Sequence, residues 1–210
     1  MRTDELIRTL ATDAGPIRAR PVALWLLAVA VVGVALWLPL LAAWFGMPAQ
    51  SARAGWFWMK AAYSLLLAAA GLMAAVRLAR PGGRVGAVAW LALATLAWLS
   101  MMAGHETLRA APGQMAHLWL GETWRICPVR ILVIAAPLYA AVLWVMRRTA
   151  PTRLATAGAA AGLFAGAVAA AIYGLYCQET AAAFVVAWYS LGIAACAALG
   201  ALVGRYLLRW

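Results

Sequence analysis

The sequence predicts an all-α integral membrane protein, built as a bundle of six transmembrane helices. Hydrophobic residues make up 67% of the 210-residue chain and charged residues 11%, whereas a soluble domain carries about 25% charged residues. Six apolar stretches are long enough to cross about 30 Å of hydrocarbon as helices. None of them alternates polar and apolar residues as membrane strands do. The stretches lie near 22–45, 56–77, 85–103, 127–146, 153–175 and 181–204.

Basic residues indicate how this bundle is oriented. They are concentrated in every second connection and near both ends of the chain, and the remaining connections are poorer in them. Under the positive-inside rule the basic side faces the cytoplasm, so we expect both termini there. The net charge of +11 therefore reflects topology and does not indicate a direct nucleic-acid partner. The basic-side residues are Arg18, Arg20, Arg77, Arg80, Arg84, Arg147, Arg148, Arg153, Arg205 and Arg209.

This topology divides the chain into three parts. Residues 1–21 form a cytoplasmic N-terminal segment, residues 22–204 form the transmembrane domain, and residues 205–210 form a cytoplasmic tail. Small residues recur every four positions in the last two spans, a spacing that lets two helix backbones approach closely in lipid. We therefore expect these two spans to be antiparallel neighbours. The recurring residues are Gly158, Gly162, Gly166, Ala170 and Gly174, and then Gly192, Cys196, Gly200 and Gly204.

Two cysteines stand where apolar runs begin or end. Cys127 opens the fourth span, directly before Pro128, and Cys177 follows the end of the fifth span. With both termini inside, both thiols lie at the outer interface, where disulfides persist. Two unrelated interfacial cysteines, a structural disulfide, and a sensing or catalytic pair are all compatible with this placement.

The two thiols are expected to differ in reactivity. Cys127 is a candidate N-cap before Pro128, where the helix dipole, with Arg125 and Arg130 nearby, favours a thiolate. Cys177 follows a helix C-terminus and lies close to Glu179 in sequence. We therefore expect Cys127 to react faster, which alkylation of the two single-cysteine variants would test.

The outer loop 104–126 adds candidate metal ligands. His105 and His117 lie in this loop, and together with Cys127 and Cys177 they would suit a soft or borderline heavy-metal ion bound transiently. The histidine spacing matches no structural zinc pattern, so an ordinary polar loop is the alternative. Lys60, early in the second span, is expected to extend to the outer interface.

The N-terminal segment reads as a short amphipathic helix that begins after Thr3 and ends before Pro16. Its apolar residues share one face, and its polar face carries both signs of charge. A helix that lies on a membrane normally has a basic polar face, so this one favours a protein partner. The apolar residues are Leu6, Ile7 and Leu10, and the charged residues include Asp4, Glu5 and Arg8.

These features together resemble the NrsF family of bacterial membrane anti-sigma factors. The opening "TDELIRTLATDA", the six spans, the two cysteines and the closing "GRYLLRW" carry the resemblance. It implies a non-enzymatic protein that sequesters an extracytoplasmic-function sigma factor at the inner membrane and releases it under stress. It further implies that Cys127 and Cys177 sense heavy metal or oxidant, and that residues of the N-terminal segment contact the sigma factor.

Two other functions compete with this one. A membrane thiol-disulfide oxidoreductase coupled to quinone would also place cysteines at the outer rim. The sequence lacks a Cys-x-x-Cys motif and a second outer cysteine pair, both of which such a relay normally needs. A metal transporter is disfavoured because no acidic residue lies deep within a span.

Overall fold

The computed structural model describes residues 3, 5, 22–46, 55–111, 113–149 and 151–209. Every regular element among them is helical, and six helices are long and apolar enough to cross a membrane. The expected six-helix bundle is therefore confirmed in number and approximate position. The elements are α1 (Val22–Phe45), α2 (Gly55–Leu78), α3 (Gly86–Arg109), the short α4 (Met115–Leu120), α5 (Cys127–Met146), α6 (Leu154–Gly174) and α7 (Ala182–Leu207).

Two helices differ from the sequence prediction. α3 continues six residues past position 103, and the Thr107 hydroxyl donates to the Ala103 carbonyl within this extension (2.7 Å). The predicted outer loop is therefore partly helical, because polar residues continue a helix readily once an apolar run has started it. α7 contains a π-helical stretch, Val185–Tyr189, between α-helical residues 182–184 and 190–207. No local sequence pattern predicted this π-helical stretch.

α6 lies at the centre of the bundle, packed against α2, α5 and α7. Within an 18-residue apolar window of each helix, 72% of α6 is buried but only 17% of α1. Alanine and glycine dominate α6, which lets neighbouring helices approach it from several sides. α1 is consequently a peripheral helix of the bundle, as is α3, with 22% of its window buried.

The expected packing of the last two spans is confirmed. A methyl group added at Gly158 would collide with the Gly200 carbonyl, and one at Gly162 would collide with the Cys196 carbonyl. Cys196 is buried against Gly166, as a small packing residue. Gly192, however, faces Ile131 of α5 instead of α6.

Hydrogen bonds between distant residues define the two ends of the bundle. At one end, which we call the arginine end, the Arg147 Nε donates to the Leu207 carbonyl (2.8 Å). At the other, which we call the cysteine end, the connections before α5 and after α6 meet. The charge segregation read from the sequence thus corresponds to two physical ends.

The predicted N-terminal segment lies largely outside the described residues. Thr3 and Glu5 are helical and exposed. The other predicted partner-binding residues are not among the residues that the structure describes, so their role stays a prediction. They are Asp4, Leu6, Ile7, Arg8 and Leu10.

Candidate sensing site at the cysteine end

Cys127 is the first residue of α5 and not its N-cap, which is Ile126. Its backbone N–H donates to the Thr123 carbonyl (2.9 Å), because the turn at 121–126 runs directly into the helix. The N-cap assignment made from Pro128 was therefore wrong by one position. Cys127 still lies in the first turn, where the positive end of the helix dipole is located.

Cys177 follows α6 after the two-residue turn 175–176, and its backbone N–H donates to the Tyr173 carbonyl (3.0 Å). Both Cys127 and Cys177 are free thiols and both are buried, at 0% and 3% exposure. Each lies within electrostatic range of the other. The structure therefore brings the two cysteines into one enclosed site.

Lys60 is part of this site, contrary to the expectation that its ammonium would extend to the surface. The side chain is 1% exposed, and its Nζ donates to the backbone carbonyls of Cys177 (2.6 Å) and Glu179 (2.9 Å). The ammonium also lies 4.3 Å from the centre of the Trp56 ring, a cation–π distance. A buried ammonium needs such partners, and they anchor the Cys177 connection to α2.

Glu179 ties the Cys177 connection to the turn before Cys127. Its Oε1 accepts hydrogen bonds from the Glu122 N–H (2.8 Å), the Thr123 N–H (3.0 Å) and the Thr123 hydroxyl (2.9 Å). Three donors on one carboxylate oxygen form a strong local clamp, since bonds to a charged acceptor exceed neutral ones. The clamp holds the two cysteine-bearing segments together.

Gly121 allows this clamp to form. It ends α4 with φ +54° and ψ −161°, a conformation available almost only to glycine. A Cβ at this position would also lie 2.5 Å from Glu179 Oε2. The sequence therefore needs glycine here for both backbone and contact reasons.

Tyrosine rings and an arginine surround the Cys177 side. Tyr173 and Tyr189 lie with ring centroids 6.1 Å apart, and Arg130 Nη1 donates to the Tyr173 hydroxyl (3.4 Å). The Tyr189 hydroxyl is fully buried and lies within reach of Cys177, yet it makes no hydrogen bond of good geometry with any residue that the structure describes. Arg125 instead stacks on Trp124, with its guanidinium 4.8 Å from the ring centre.

A cavity of about 380 Å³ opens beside Cys177. Its lining includes His117, Arg130, Tyr173, Tyr176, Cys177 and Glu179, and does not include Cys127. This cavity therefore gives access to Cys177 and not to Cys127. This finding opposes the expectation that Cys127 reacts faster, because that expectation considered thiolate stabilisation and not access.

The predicted metal ligands are not gathered into one set. His105 and His117 are both exposed, and only His117 lines the cavity. Among the residues that the structure describes, no group of three or more His, Cys, Asp or Glu side chains could hold a metal ion. Glu106, which lies in the C-terminal part of α3, instead accepts hydrogen bonds at Oε2 from the N–H groups of Ala182 (2.7 Å) and Ala183 (3.4 Å). It caps the start of α7.

Sequence reasoning identified both cysteines but missed most of what surrounds them. The only signal for Lys60 was a charged residue within a span, which is by default a functional-site hypothesis. Glu179 was noted only as a neighbour of Cys177, and its partners Glu122 and Thr123 are more than 50 residues away. Nothing local pointed to Tyr176, whose hydroxyl donates to the Leu38 carbonyl of α1 (3.1 Å).

Comparison with known proteins agrees with the resemblance noted in the sequence. The family model "Negative regulator of sigma F" (NrsF) matches residues 10–210. Similar proteins are the "Anti-sigma-F factor NrsF" of Caulobacter vibrioides, 42% identical, and the "Probable anti-sigma-F factor NrsF" of Azospira oryzae, 40% identical, with both chains covered in full in each case. No solved structure matches. This six-helix chain, with its two enclosed cysteines, belongs to the NrsF family.

Proposed function

We propose that this chain is an anti-sigma factor of the bacterial inner membrane. It sequesters an extracytoplasmic-function sigma factor and releases it when Cys127 and Cys177 react with a heavy metal or an oxidant. The observation that carries this proposal is the full-length similarity to proteins named anti-sigma-F factors. In this role the chain is a regulator and not an enzyme.

The distribution of charge supports the orientation that this function needs. Arg147 and Arg148 lie at the arginine end, together with the end of α7 and with Val22 at the start of α1, which lines a cavity with Arg148. By the positive-inside rule that end faces the cytoplasm. The cysteine end then faces the periplasm, and the N-terminal segment is on the side where a sigma factor is found.

The chemistry of the site supports reaction as a pair. An oxidant that accepts two electrons and two protons from the two thiols would leave a Cys127–Cys177 disulfide. A soft divalent metal would bind both sulfurs and displace the two thiol protons. The cavity beside Cys177 gives a small reagent a route to the pair.

The expected energetic effect is modest. A cross-link contributes about 2–4 kcal/mol, whereas moving a two-state protein from 1:99 to 99:1 takes about 5.5 kcal/mol. Disulfide formation alone therefore gives a full switch only if the sigma-holding and sigma-releasing states are already nearly balanced. We expect a graded response to oxidant.

Co-purification tests the proposal directly. The tagged, detergent-solubilised protein would be isolated from its own host before and after treatment with Cd²⁺ or diamide, and bound proteins identified by mass spectrometry. We expect a sigma factor that is lost on treatment, and retained when Cys127→Ser and Cys177→Ser are combined. Cys196→Ser is the matched control, because Cys196 is also buried but packs against Gly166. Absence of any sigma factor from the untreated protein would overturn the proposal.

The sigma-contacting surface is tested by a separate pair of substitutions. We propose that Leu6, Ile7 and Leu10 form the apolar contact, flanked by Asp4, Glu5 and Arg8. Leu6→Asp combined with Leu10→Asp should abolish co-purification without altering membrane insertion. Retention of the sigma factor by this variant would move the contact to the arginine-rich inner connections.

A further inference from the structure

Tyr176 connects the cysteine site to the first span. It directly precedes Cys177, it lines the cavity beside that thiol, and its hydroxyl donates to the Leu38 carbonyl of α1 (3.1 Å). The two residues are 138 positions apart in sequence. One side chain thus contacts both the reactive site and a helix that contributes no cysteine to it.

α1 is loosely held in the bundle. Apart from Phe45, whose side chain is not described, its buried residues are Leu26, Gly33 and Leu41. An apolar groove of about 350 Å³ runs between α1 and α5, lined by residues such as Val29 and Leu138. Because few contacts would be lost, a small shift of α1 costs less than a shift of the central α6.

The bond from Tyr176 reaches α1 next to Pro39, where a backbone hydrogen bond of the helix is missing. Leu38 is followed by Pro39, which has no N–H and leaves the carbonyl four residues earlier without its helical partner. Helices bend at such positions. Residues 22–38 then form a lever about 24 Å long at 1.5 Å per residue, and its far end joins the N-terminal segment.

Lys60 is a less suitable connection between the site and the rest of the bundle. It binds the same segment, at the Cys177 and Glu179 carbonyls, but it belongs to α2, which packs broadly against α6. Half of the apolar window of α2 is buried, compared with 17% in α1. Lys60 therefore anchors the segment, and Tyr176 is its link to a helix that can move.

From this geometry we infer that Tyr176 is the coupling residue that transmits the state of Cys127 and Cys177 to α1. The inference rests on the proposed function. With free thiols the Tyr176–Leu38 bond holds α1 in the sigma-binding position. Reaction at Cys177 displaces the adjacent residue 176, the bond to Leu38 is lost, and α1 shifts together with the N-terminal segment.

Tyr176→Phe in the full-length protein tests this inference, because it removes the hydroxyl and keeps the ring. A neutral hydrogen bond contributes about 0.5–1.5 kcal/mol, which corresponds to roughly a two- to tenfold change in equilibrium. We expect Tyr176→Phe to bind the sigma factor two- to tenfold more weakly than the unmodified protein before any treatment. Cd²⁺ should then weaken binding in this variant by a correspondingly smaller factor. Tyr139→Phe is the matched control, since its hydroxyl donates to the Gly200 carbonyl (2.9 Å) away from the cysteines.

A second measurement does not depend on the sigma factor. Hydrogen–deuterium exchange of the purified protein would be followed in the α1 peptide spanning residues 35–44. We expect Cd²⁺ to speed exchange there at least twofold in the unmodified protein. Tyr176→Phe should show the faster exchange without Cd²⁺, and Tyr139→Phe should not.

The two measurements separate this inference from the proposed function. Unchanged α1 exchange in Tyr176→Phe, or equal effects of Tyr176→Phe and Tyr139→Phe, would overturn the coupling role even if Cd²⁺ releases the sigma factor. If hydrogen–deuterium exchange follows the expected pattern but no sigma factor co-purifies, the coupling role of Tyr176 stands and the proposed function is overturned.

Discussion

The Glu179 clamp gives the sharpest quantitative prediction. Glu179→Ala removes three hydrogen bonds between the Cys177 connection and the turn before Cys127. Bonds to charged acceptors contribute about 1.5–3 kcal/mol when desolvated. Because this carboxylate is partly exposed, we take about 1 kcal/mol each, or about 3 kcal/mol in total. Local opening of the site should then become roughly 100-fold more frequent.

Labelling of the cysteines by methyl methanethiosulfonate, read by mass spectrometry, measures that opening. Glu179→Ala should label roughly 100-fold faster and Glu179→Gln only about fivefold faster, because glutamine keeps an acceptor oxygen. Both variants lose the negative charge near the thiols, so their difference isolates the hydrogen bonds. Glu122→Ala is the control, since Glu122 binds Glu179 through its backbone N–H, which the substitution keeps. Equal labelling rates in Glu179→Ala and the unmodified protein would show that the three hydrogen bonds of Glu179 do not hold the site closed.

Three further predictions follow from the same structure. Gly121→Ala should destabilise the protein by about 1–3 kcal/mol through its positive φ, seen as a lower thermal unfolding midpoint in detergent, whereas Gly104→Ala, which meets open space, should not. Gly158→Val should destabilise by about 1–3 kcal/mol by forcing α6 from α7, and a midpoint equal to that of Gly104→Val would contradict the packing. In single-cysteine variants, Cys177 should be labelled faster than Cys127 because only Cys177 lines the cavity; the reverse order would show that thiolate stabilisation outweighs access.

The alkylation experiment also decides between two physical effects that the sequence could not weigh. The helix dipole and nearby cations favour the Cys127 thiolate, and that argument needs only the order of residues. Enclosure depends on how six helices pack, and it leaves Cys127 fully buried. A buried thiol must wait for an opening before its thiolate can react.

Local sequence patterns were enough to predict the number and approximate limits of the spans, the two ends of the bundle and the packing of the last two spans. These properties depend on local hydropathy, on charge between spans and on the four-residue spacing of small residues such as Gly158 and Gly162. Each is encoded within about 20 consecutive residues. The number of spans between them also predicted that Cys127 and Cys177 lie at the same end of the bundle.

The surroundings of the two cysteines, in contrast, depend on how the helices pack and could not be predicted from the sequence. Lys60 meets the Cys177 carbonyl across 117 positions, and Tyr176 meets Leu38 across 138. Such contacts leave no periodic trace in the sequence, because each is a single pairing between helices whose relative positions are set by the whole bundle. Most buried polar groups are nevertheless hydrogen-bonded, and these long-range partners join the cysteine site to the first two spans.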